Sequence, residues 1–286
     1  MGVQGACVKP LLGLILTLGL LTGCSSVQTV PSCAEFDAVQ PGYDAMAAFQ
    51  PPHILQITEF PGTNYSQRRE QIDMLVLHYT GMQTGEGARR QLSRAGSGVS
   101  SHYLVMKDGT IYRLVPEHFR AWHAGKGSWA GRKDINSRSI GIEIVNGGHE
   151  FGLPAFPREQ IDAVIALSRD IIARHDIPAG NIIGHSDMAP NRKEDPGERF
   201  PWRRLADAGV GLYPDLDVAL AQDALSRGRY PDALVAIGYD FDDAGGVTRE
   251  QAVTAFQRRW CPAAPTGRAN IETRQLIGAV QALYAQ

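Results

Sequence analysis

The sequence lacks an excess of charge of either sign, and it has no acidic tail. Its 28 lysine and arginine residues are nearly matched by 30 aspartate and glutamate residues, which gives the 286-residue chain a formal net charge of -2. Without a basic excess, the composition gives no support to a nucleic-acid partner, and ligand recognition must depend on local groups. The length allows one sizeable domain with a smaller one beside it, or two ordinary domains.

The apolar run near the N-terminus is too short to span a bilayer comfortably. Lys9 precedes this run, which covers residues 10–21 and ends in Leu-Thr-Gly-Cys, with small residues before Cys24 that suit a processing protease. We therefore predict a signal peptide with a lipobox at residues 1–23 and a lipid on Cys24, which would anchor the exported protein to a membrane. The alternative is an ordinary signal peptide with an incidental cysteine, and export follows in both cases.

The residues after Cys24 bear on where the anchor is placed. Ser25, rather than an aspartate, follows the cysteine, and by a rule of lipoprotein sorting this favours the periplasmic face of the outer membrane in a two-membrane bacterium. Residues 24–52 are rich in serine, proline, alanine and glutamine without sustained periodicity, which predicts a flexible tether.

Cysteines are few, and only two of the four remain available after export. Cys7 lies in the removed segment and Cys24 carries the lipid, so Cys33 and Cys261 are left for an oxidising compartment. They could form a disulfide or both stay free, because positions so far apart in sequence do not tell whether the Cα atoms come close enough to bridge.

Strand patterns dominate residues 53–212. Met-Leu-Val-Leu at 74–77 is a continuous apolar run of the kind found in strands covered on both faces. Asp108-Gly109 between two apolar runs indicates a hairpin, and Ile-Gly-Ile-Glu-Ile at 140–144 indicates a strand from which Glu143 projects. The predicted strands are 74–79, 100–106, 110–115, 139–145 and 181–185, and an amphipathic helix is predicted at 157–175.

Residues 213–286 show helical patterns and no strand pattern. The predicted helices cover 215–226, 248–260 and 270–284, and Thr248 with Gln251 fits a capping box at the start of the second. This region is therefore predicted to be a small, all-α domain.

Three residues at the ends of separate predicted elements are candidate metal ligands: His78, His185 and Asp195. Two imidazoles and one carboxylate make a hydrolytic zinc site, which leaves a fourth position open for water. For a single histidine, a satisfied core or surface position is the more frequent outcome. The histidines assigned to that class are His53, His118, His149 and His175.

Five ordered motifs raise the weight of this metal site. They are His78-Tyr79-Thr80, Ser101-His102-Tyr103, Trp122-His123-Ala124-Gly125, Ser139 to Glu143, and Gly184 to Asp187 continuing through Lys193 to Gly197. Together they resemble the zinc-dependent N-acetylmuramoyl-L-alanine amidases of the AmiD and AmpD type, which are related to the peptidoglycan recognition proteins. The resemblance implies an α/β fold with a central mixed sheet flanked by helices. It also implies hydrolysis of the amide between the lactyl group of N-acetylmuramic acid, or of its 1,6-anhydro form, and the L-alanine of the stem peptide.

The resemblance also assigns roles to residues at matching positions. It places one zinc ion on His78, His185 and Asp195, and catalytic roles on Glu143 and Lys193. Glu143 would move the proton and Lys193 would stabilise the oxyanion, although Lys193 could instead be a solvated charge in a polar loop. Weaker expectations of substrate binding fall on His123, Tyr79, Asn136 and Arg138. His102 is interpreted as a buried, hydrogen-bonded histidine.

Other activities remain as alternatives. The chain could be a receptor that binds peptidoglycan or muropeptides without hydrolysis, although the retained ligands and Glu143 favour an enzyme, or it could be a zinc peptidase that cuts within the stem peptide. Residues 213–286 resemble a helical peptidoglycan-binding domain more loosely, and they could instead only pack on the zinc amidase domain at 53–212.

Overall fold

The computed structural model describes residues 1, 2, 33, 55–242, 246–263 and 265–286. Most of the predicted signal peptide, the tether apart from Cys33, and the residues Cys24 and His53 lie outside the described part. Among the helices described, we find none with the length and apolar character needed to cross a membrane.

Within the described residues, eight strands form a six-stranded sheet and a separate two-stranded ribbon. The strands are β1 (Ile57–Glu59), β2 (Tyr65–Gln67), β3 (Met74–Tyr79), β4 (Tyr103–Val105), β5 (Ile111–Arg113), β6 (Phe119–Ala121), β7 (Ser139–Ile144) and β8 (Ile182–Gly184). The large sheet has the order β1-β5-β4-β7-β3-β8, and β2 pairs with β6. Only the β4–β5 pair of the large sheet is antiparallel. The predicted mixed sheet is therefore confirmed, although the hairpin strands are shorter than predicted.

The part of the chain that the structure describes also holds nine α-helices. They are α1 (Gly85–Ser93), α2 (Ile135–Arg138), α3 (Arg158–His175), α4 (His185–Met188), α5 (Trp202–Asp207), α6 (Leu216–Leu220), α7 (Tyr230–Ile237), α8 (Arg249–Trp260) and α9 (Ile271–Tyr284). The predicted helix at 157–175 and the capping box of Thr248 with Gln251 are confirmed. The predicted helix at 215–226 is shorter than expected, and α7 has no counterpart in the sequence-based prediction.

The central strand β3 is buried on both faces, as its continuous apolar run predicts. Leu75 and Leu77 pack into a core with α3, whereas Met74 and Val76 belong to a second core that includes helices α7, α8 and α9. The alternation follows from the two-residue period of a strand. Since His78 continues the series of Met74 and Val76, its side chain lies on the face that the C-terminal helices help to cover.

The C-terminal helices share their core with the region that carries the sheet. Trp129 and Met188 lie in the same buried cluster as Phe256 and Trp260 of α8. Cys33 and Cys261 form a disulfide, which settles the question that the sequence left open. It ties residue 33 to the residue that follows α8.

Candidate metal centre

The central strands bring the predicted site residues to one edge of the sheet. β3 runs parallel to both β7 and β8, with His78 in register with Glu143, and Leu77 in register with Gly184. His185 begins α4 directly after β8. Because neighbouring residues in register point to the same side of a sheet, the strand pairing places His78, Glu143 and His185 beside one another.

His78, His185 and Asp195 converge through one atom each. Nδ1 of His78 lies 2.9 Å from Nδ1 of His185 and 2.9 Å from Oδ2 of Asp195, and the distance from His185 Nδ1 to the same Oδ2 is 3.0 Å. All three residues are buried, and they form a group that could hold a metal ion. Zinc bonds to nitrogen and oxygen are about 2.0–2.2 Å long, so one ion can contact all three corners of this triangle.

The hydrogen bond made by Nε2 of each of the two histidines determines which tautomer is present. His185 Nε2 lies 2.9 Å from the carbonyl oxygen of Ala124, which can only accept, so the neutral ring carries its proton on Nε2 and leaves a lone pair on Nδ1. Such a contact to a backbone carbonyl orients metal-binding histidines in general.

His78 is held by a chain of three hydrogen bonds. The hydroxyl of Ser139 donates to the carbonyl oxygen of Ile135 over 2.6 Å, so its oxygen accepts from Nε2 of His123 at 3.2 Å. Nδ1 of His123 then accepts from Nε2 of His78 at 3.0 Å. This order of donors leaves the His78 Nδ1 with a lone pair as well.

The donor set therefore fits a cation. Two lone pairs and a carboxylate oxygen meet with no hydrogen between them, an arrangement that is repulsive unless a positive charge lies among them. Burial and the neighbouring His185 lower the pKa of His78 to about 4, which keeps its ring neutral. Neutral imidazoles and an ionised carboxylate are the states that bind metal.

The carboxylate of Glu143 has one oxygen that is left without a hydrogen bond in the described part of the chain. This oxygen, Oε2, is buried. Burial and the nearby Asp195 raise the pKa of Glu143 well above its usual value. An unpartnered carboxylate with a raised pKa beside a metal site is suited to accept a proton during a reaction.

An open cavity of about 360 Å³ gives access to the triangle. Its wall includes Glu143, His185, Asp195 and, from the loop before Asp195, Lys193. Apolar and aromatic side chains also line the cavity: Tyr79, Met82, Leu92, Val99 and Trp122. A cavity of mixed polar and apolar character suits a ligand that has both polar and apolar parts.

Of the four residues predicted more weakly to bind substrate, two lie in the cavity wall and two do not. Tyr79 and His123 lie in the cavity wall. The Tyr79 hydroxyl also contacts Nδ1 of His149 at 2.9 Å. By contrast, the structure does not bring Asn136 or Arg138 to this wall.

The side chains of Asn136 and Arg138 instead make hydrogen bonds and ion pairs within the protein. The side-chain oxygen of Asn136 accepts from the backbone nitrogens of His123 and Ala124 at 2.9 and 2.8 Å, which fixes the loop behind the site. Arg138 pairs with Glu70 and Asp73.

Sequence reasoning missed several residues around the site. Ser139 completes the chain behind His78, and Arg192 lies in the cavity wall and donates to the carbonyl oxygens of Ala124 and Lys126. A serine or an arginine inside a motif gives no local signal of such a contact, because the partner is distant in sequence. His102 is buried as interpreted, and its Nδ1 accepts from the backbone nitrogen of Gly141 at 2.9 Å.

Comparisons with known proteins agree with these observations. The family described as N-acetylmuramoyl-L-alanine amidase matches residues 68–198. N-acetylmuramoyl-L-alanine amidase AmiD of Escherichia coli (strain K12) is 34% identical over 259 residues, which cover 80% of this chain and 92% of that protein. 1,6-anhydro-N-acetylmuramyl-L-alanine amidase AmpD of the same organism is 42% identical over 107 residues, covering 37% of this chain and 56% of AmpD.

Solved structures show the same similarity. The complex of Escherichia coli AmiD with anhydro-N-acetylmuramic acid-L-Ala-D-γ-Glu-L-Lys has a TM-score of 0.68 at 33% identity, and covers 78% of this chain and 99% of AmiD. AmpDh3 of Pseudomonas aeruginosa in complex with an anhydromuramic pentapeptide has a TM-score of 0.67 at 30% identity, and covers 75% of this chain and 93% of AmpDh3.

Proposed function

This chain belongs to the N-acetylmuramoyl-L-alanine amidase family, and we propose that it works with one zinc ion held by His78, His185 and Asp195. It is an enzyme that hydrolyses the amide bond between the lactyl group of N-acetylmuramic acid and the L-alanine of the stem peptide. The observation that carries the zinc proposal is the meeting of three electron-pair donors with no hydrogen between them.

The chemistry divides between the metal and two side chains. Zinc, when bound, supplies Lewis acidity that polarises the scissile carbonyl and acidifies water. Glu143 takes a proton from the attacking water, whose oxygen forms the new bond to the carbonyl carbon. The ammonium of Lys193 stabilises the negative charge on the carbonyl oxygen. Glu143 then delivers the proton to the departing nitrogen as the carbon–nitrogen bond breaks, which yields the lactyl carboxylic acid and the free amine of L-alanine; the acid then loses its remaining proton to solvent.

The substrate form follows from the relatives. AmiD and AmpDh3 have been solved with anhydromuramic peptides bound, and we infer that this enzyme accepts soluble 1,6-anhydro-muropeptides. Fragment masses from a digest would test this reading against the alternative of a zinc peptidase. An amidase releases an intact stem peptide that begins with L-alanine, whereas a peptidase leaves part of the stem on the sugar.

The zinc proposal is tested by metal removal. We expect one zinc per chain in the purified protein, loss of muropeptide cleavage on treatment with a chelator, and recovery on addition of zinc. His185→Ala should lose zinc and activity together, because a site with two protein ligands binds the metal far more weakly. The exposed His118 gives the matched control, His118→Ala, which should retain both. Full activity in zinc-free protein would contradict the proposal.

Membrane anchoring is a separate proposal that rests on the sequence around Cys24. We propose that a lipid on this residue holds the enzyme at the periplasmic face of the outer membrane, within reach of peptidoglycan. Cys24→Ala should move the protein from the detergent-extracted membrane fraction to the soluble periplasmic fraction. If the variant stays with the membranes, a lipid is not the anchor. Wall binding by residues 213–286 stays a prediction.

A further inference from the structure

A buried carboxylate lies two residues beyond the ligand His185. Asp187 is 1% exposed, and its Oδ2 atom accepts from the backbone nitrogen of Gly184 at 2.8 Å, which closes the turn around His185. The backbone nitrogen of Ser186 donates to the carbonyl oxygen of Asp195 over 2.9 Å. The position of this short segment therefore bears on two of the three metal ligands.

The C-terminal helical region supplies the remaining partners of Asp187. Nη1 of Arg259, on α8, donates to Oδ2 at 2.9 Å, and the hydroxyl of Tyr239 donates to Oδ1 at 2.7 Å. Nε1 of Trp260 in turn donates to the Tyr239 oxygen at 3.3 Å. Both oxygens of Asp187 are thus held by residues that lie more than fifty positions further along the chain.

Arg259 is buried, like the carboxylate it binds, and its guanidinium is held between two aromatic rings. It is 2% exposed, and its guanidinium stacks between the rings of Trp202 and Trp260, at 4.1 and 4.3 Å from the ring centres. Among the described residues, its Nε and Nη2 atoms have no hydrogen-bond partner. Burying a cation with unsatisfied donors is costly, and the ion pair with Asp187 and the contacts with the two tryptophan rings offset this cost.

The neighbouring residue on α8 contacts the other end of the same loop. Arg258 donates to Glu194 at 2.6 Å and to Glu198 at 2.8 Å. Glu194 directly precedes the ligand Asp195. Two consecutive arginines of one helix therefore hold the segment from Gly184 to Glu198, which carries His185, Lys193 and Asp195.

From this geometry we propose that α8 positions the metal ligands, with Arg259 as a positioning residue that acts through Asp187 on His185. The C-terminal helical region is then a supporting part of the catalytic site, whether or not it also binds the cell wall. This inference rests on the proposed zinc site. It adds that zinc affinity depends on an ion pair between residues 72 positions apart.

Zinc affinity of the full-length protein, measured by competition with a chromogenic chelator, tests the proposal. Arg259→Met keeps much of the side-chain volume but removes the charge, and should weaken zinc binding about 10- to 100-fold, the range usual for residues that support metal ligands. Tyr239→Phe removes the hydrogen bond to Asp187 and the one accepted from Trp260 but leaves the ion pair in place, and it should weaken zinc binding roughly 10-fold, at the low end of that range. Cobalt substituted for zinc should show an altered visible absorption spectrum in both variants, because the spectrum reports ligand geometry.

A matched control separates positioning from general destabilisation. Leu276 is fully buried in the same core on α9, and its aliphatic side chain can form neither a hydrogen bond nor an ion pair with Asp187. Leu276→Ala should lower the melting temperature of the metal-free protein while its zinc affinity and cobalt spectrum stay those of the wild type. If Arg259→Met does not fold, Tyr239→Phe against Leu276→Ala makes the same comparison.

The outcomes are distinct. Wild-type zinc affinity in Arg259→Met or, where that variant does not fold, in Tyr239→Phe overturns the inference, as does a loss no greater than that of Leu276→Ala. Failure of the wild-type protein itself to bind zinc would instead overturn the proposed function.

Discussion

Replacing Glu143 with glutamine should separate proton transfer from metal binding. Glu143 Oε2 makes no hydrogen bond with any of the residues that the structure describes, so the substitution breaks no hydrogen bond seen there, and glutamine has almost the same shape. None of the three proposed zinc ligands is changed. We therefore expect Glu143→Gln to fold normally and to bind one zinc per chain with wild-type affinity.

Glu143→Gln should therefore lower only the turnover rate. Loss of a general base costs about 10²- to 10⁴-fold in rate, which corresponds to roughly 2.7–5.5 kcal/mol of activation free energy. Because the substitution leaves the cavity wall in place, KM should change little. The same change at the exposed helix position Glu159 serves as the control, and Glu159→Gln should keep wild-type turnover.

The folding stability of the metal-free protein gives a second test of the surroundings of Glu143. Burial raises the pKa of Glu143 above its unfolded value, so ionisation in the unfolded state destabilises the fold as pH rises above about 4.3. Metal-free Glu143→Gln should therefore be at least as stable as the wild type at pH 7, and the difference should disappear below the unfolded pKa. Urea unfolding at both pH values measures it.

Metal analysis and single-turnover kinetics on the same preparation test whether Glu143 acts as the general base. Zinc-loaded Glu143→Gln with near-normal turnover would remove Glu143 from the mechanism. Loss of zinc in the same variant would mean that this carboxylate holds the metal rather than moving a proton.

Three further predictions concern other residues of the site and the fold. Lys193→Ala should retain zinc and lose roughly 10²-fold or more in turnover, measured against Lys107→Ala in the exposed hairpin turn; equal turnover in both would exclude an oxyanion role. Ser139→Ala removes the acceptor behind His123 and should weaken zinc binding about 10- to 100-fold. Ser168→Ala, at a buried serine with no hydrogen-bond partner among the residues described, should leave zinc binding unchanged, and chelator competition on both variants measures the difference. The disulfide closes a separation of 228 residues, so Cys33→Ser with Cys261→Ser should lower the free energy of unfolding by up to roughly 5 kcal/mol, and an unchanged urea midpoint would contradict this.

The relation between helix patterns and tertiary packing explains the errors in the C-terminal region. The predicted helix at 215–226 extends past Leu220, where the observed helix α6 ends. Helix α7 begins with a tyrosine and a proline and has only eight residues, too few for a periodic pattern to stand out. Both elements are short, and packing against α9 determines where they end more than their own propensity does.

The sequence by itself determined the elements whose signals are local. The apolar run of β3, the Asp-Gly turn and the stripe of α3 each depend on residues within a few positions of one another, and their periods follow from backbone geometry. The motifs also named the residues that the structure brings into one site, His78, Glu143, His185, Lys193 and Asp195.

Only the tertiary structure decided what supports these residues. His123 lies behind His78, Arg259 reaches Asp187, and Cys33 pairs with Cys261. Each of these contacts joins positions at least 45 residues apart. No local period encodes such contacts, because they exist only when the sheet, the loops and the C-terminal helices have packed into shared cores. The orientation of a metal ligand is therefore a property of the whole fold, whereas its place at the end of a strand follows from the strand alone.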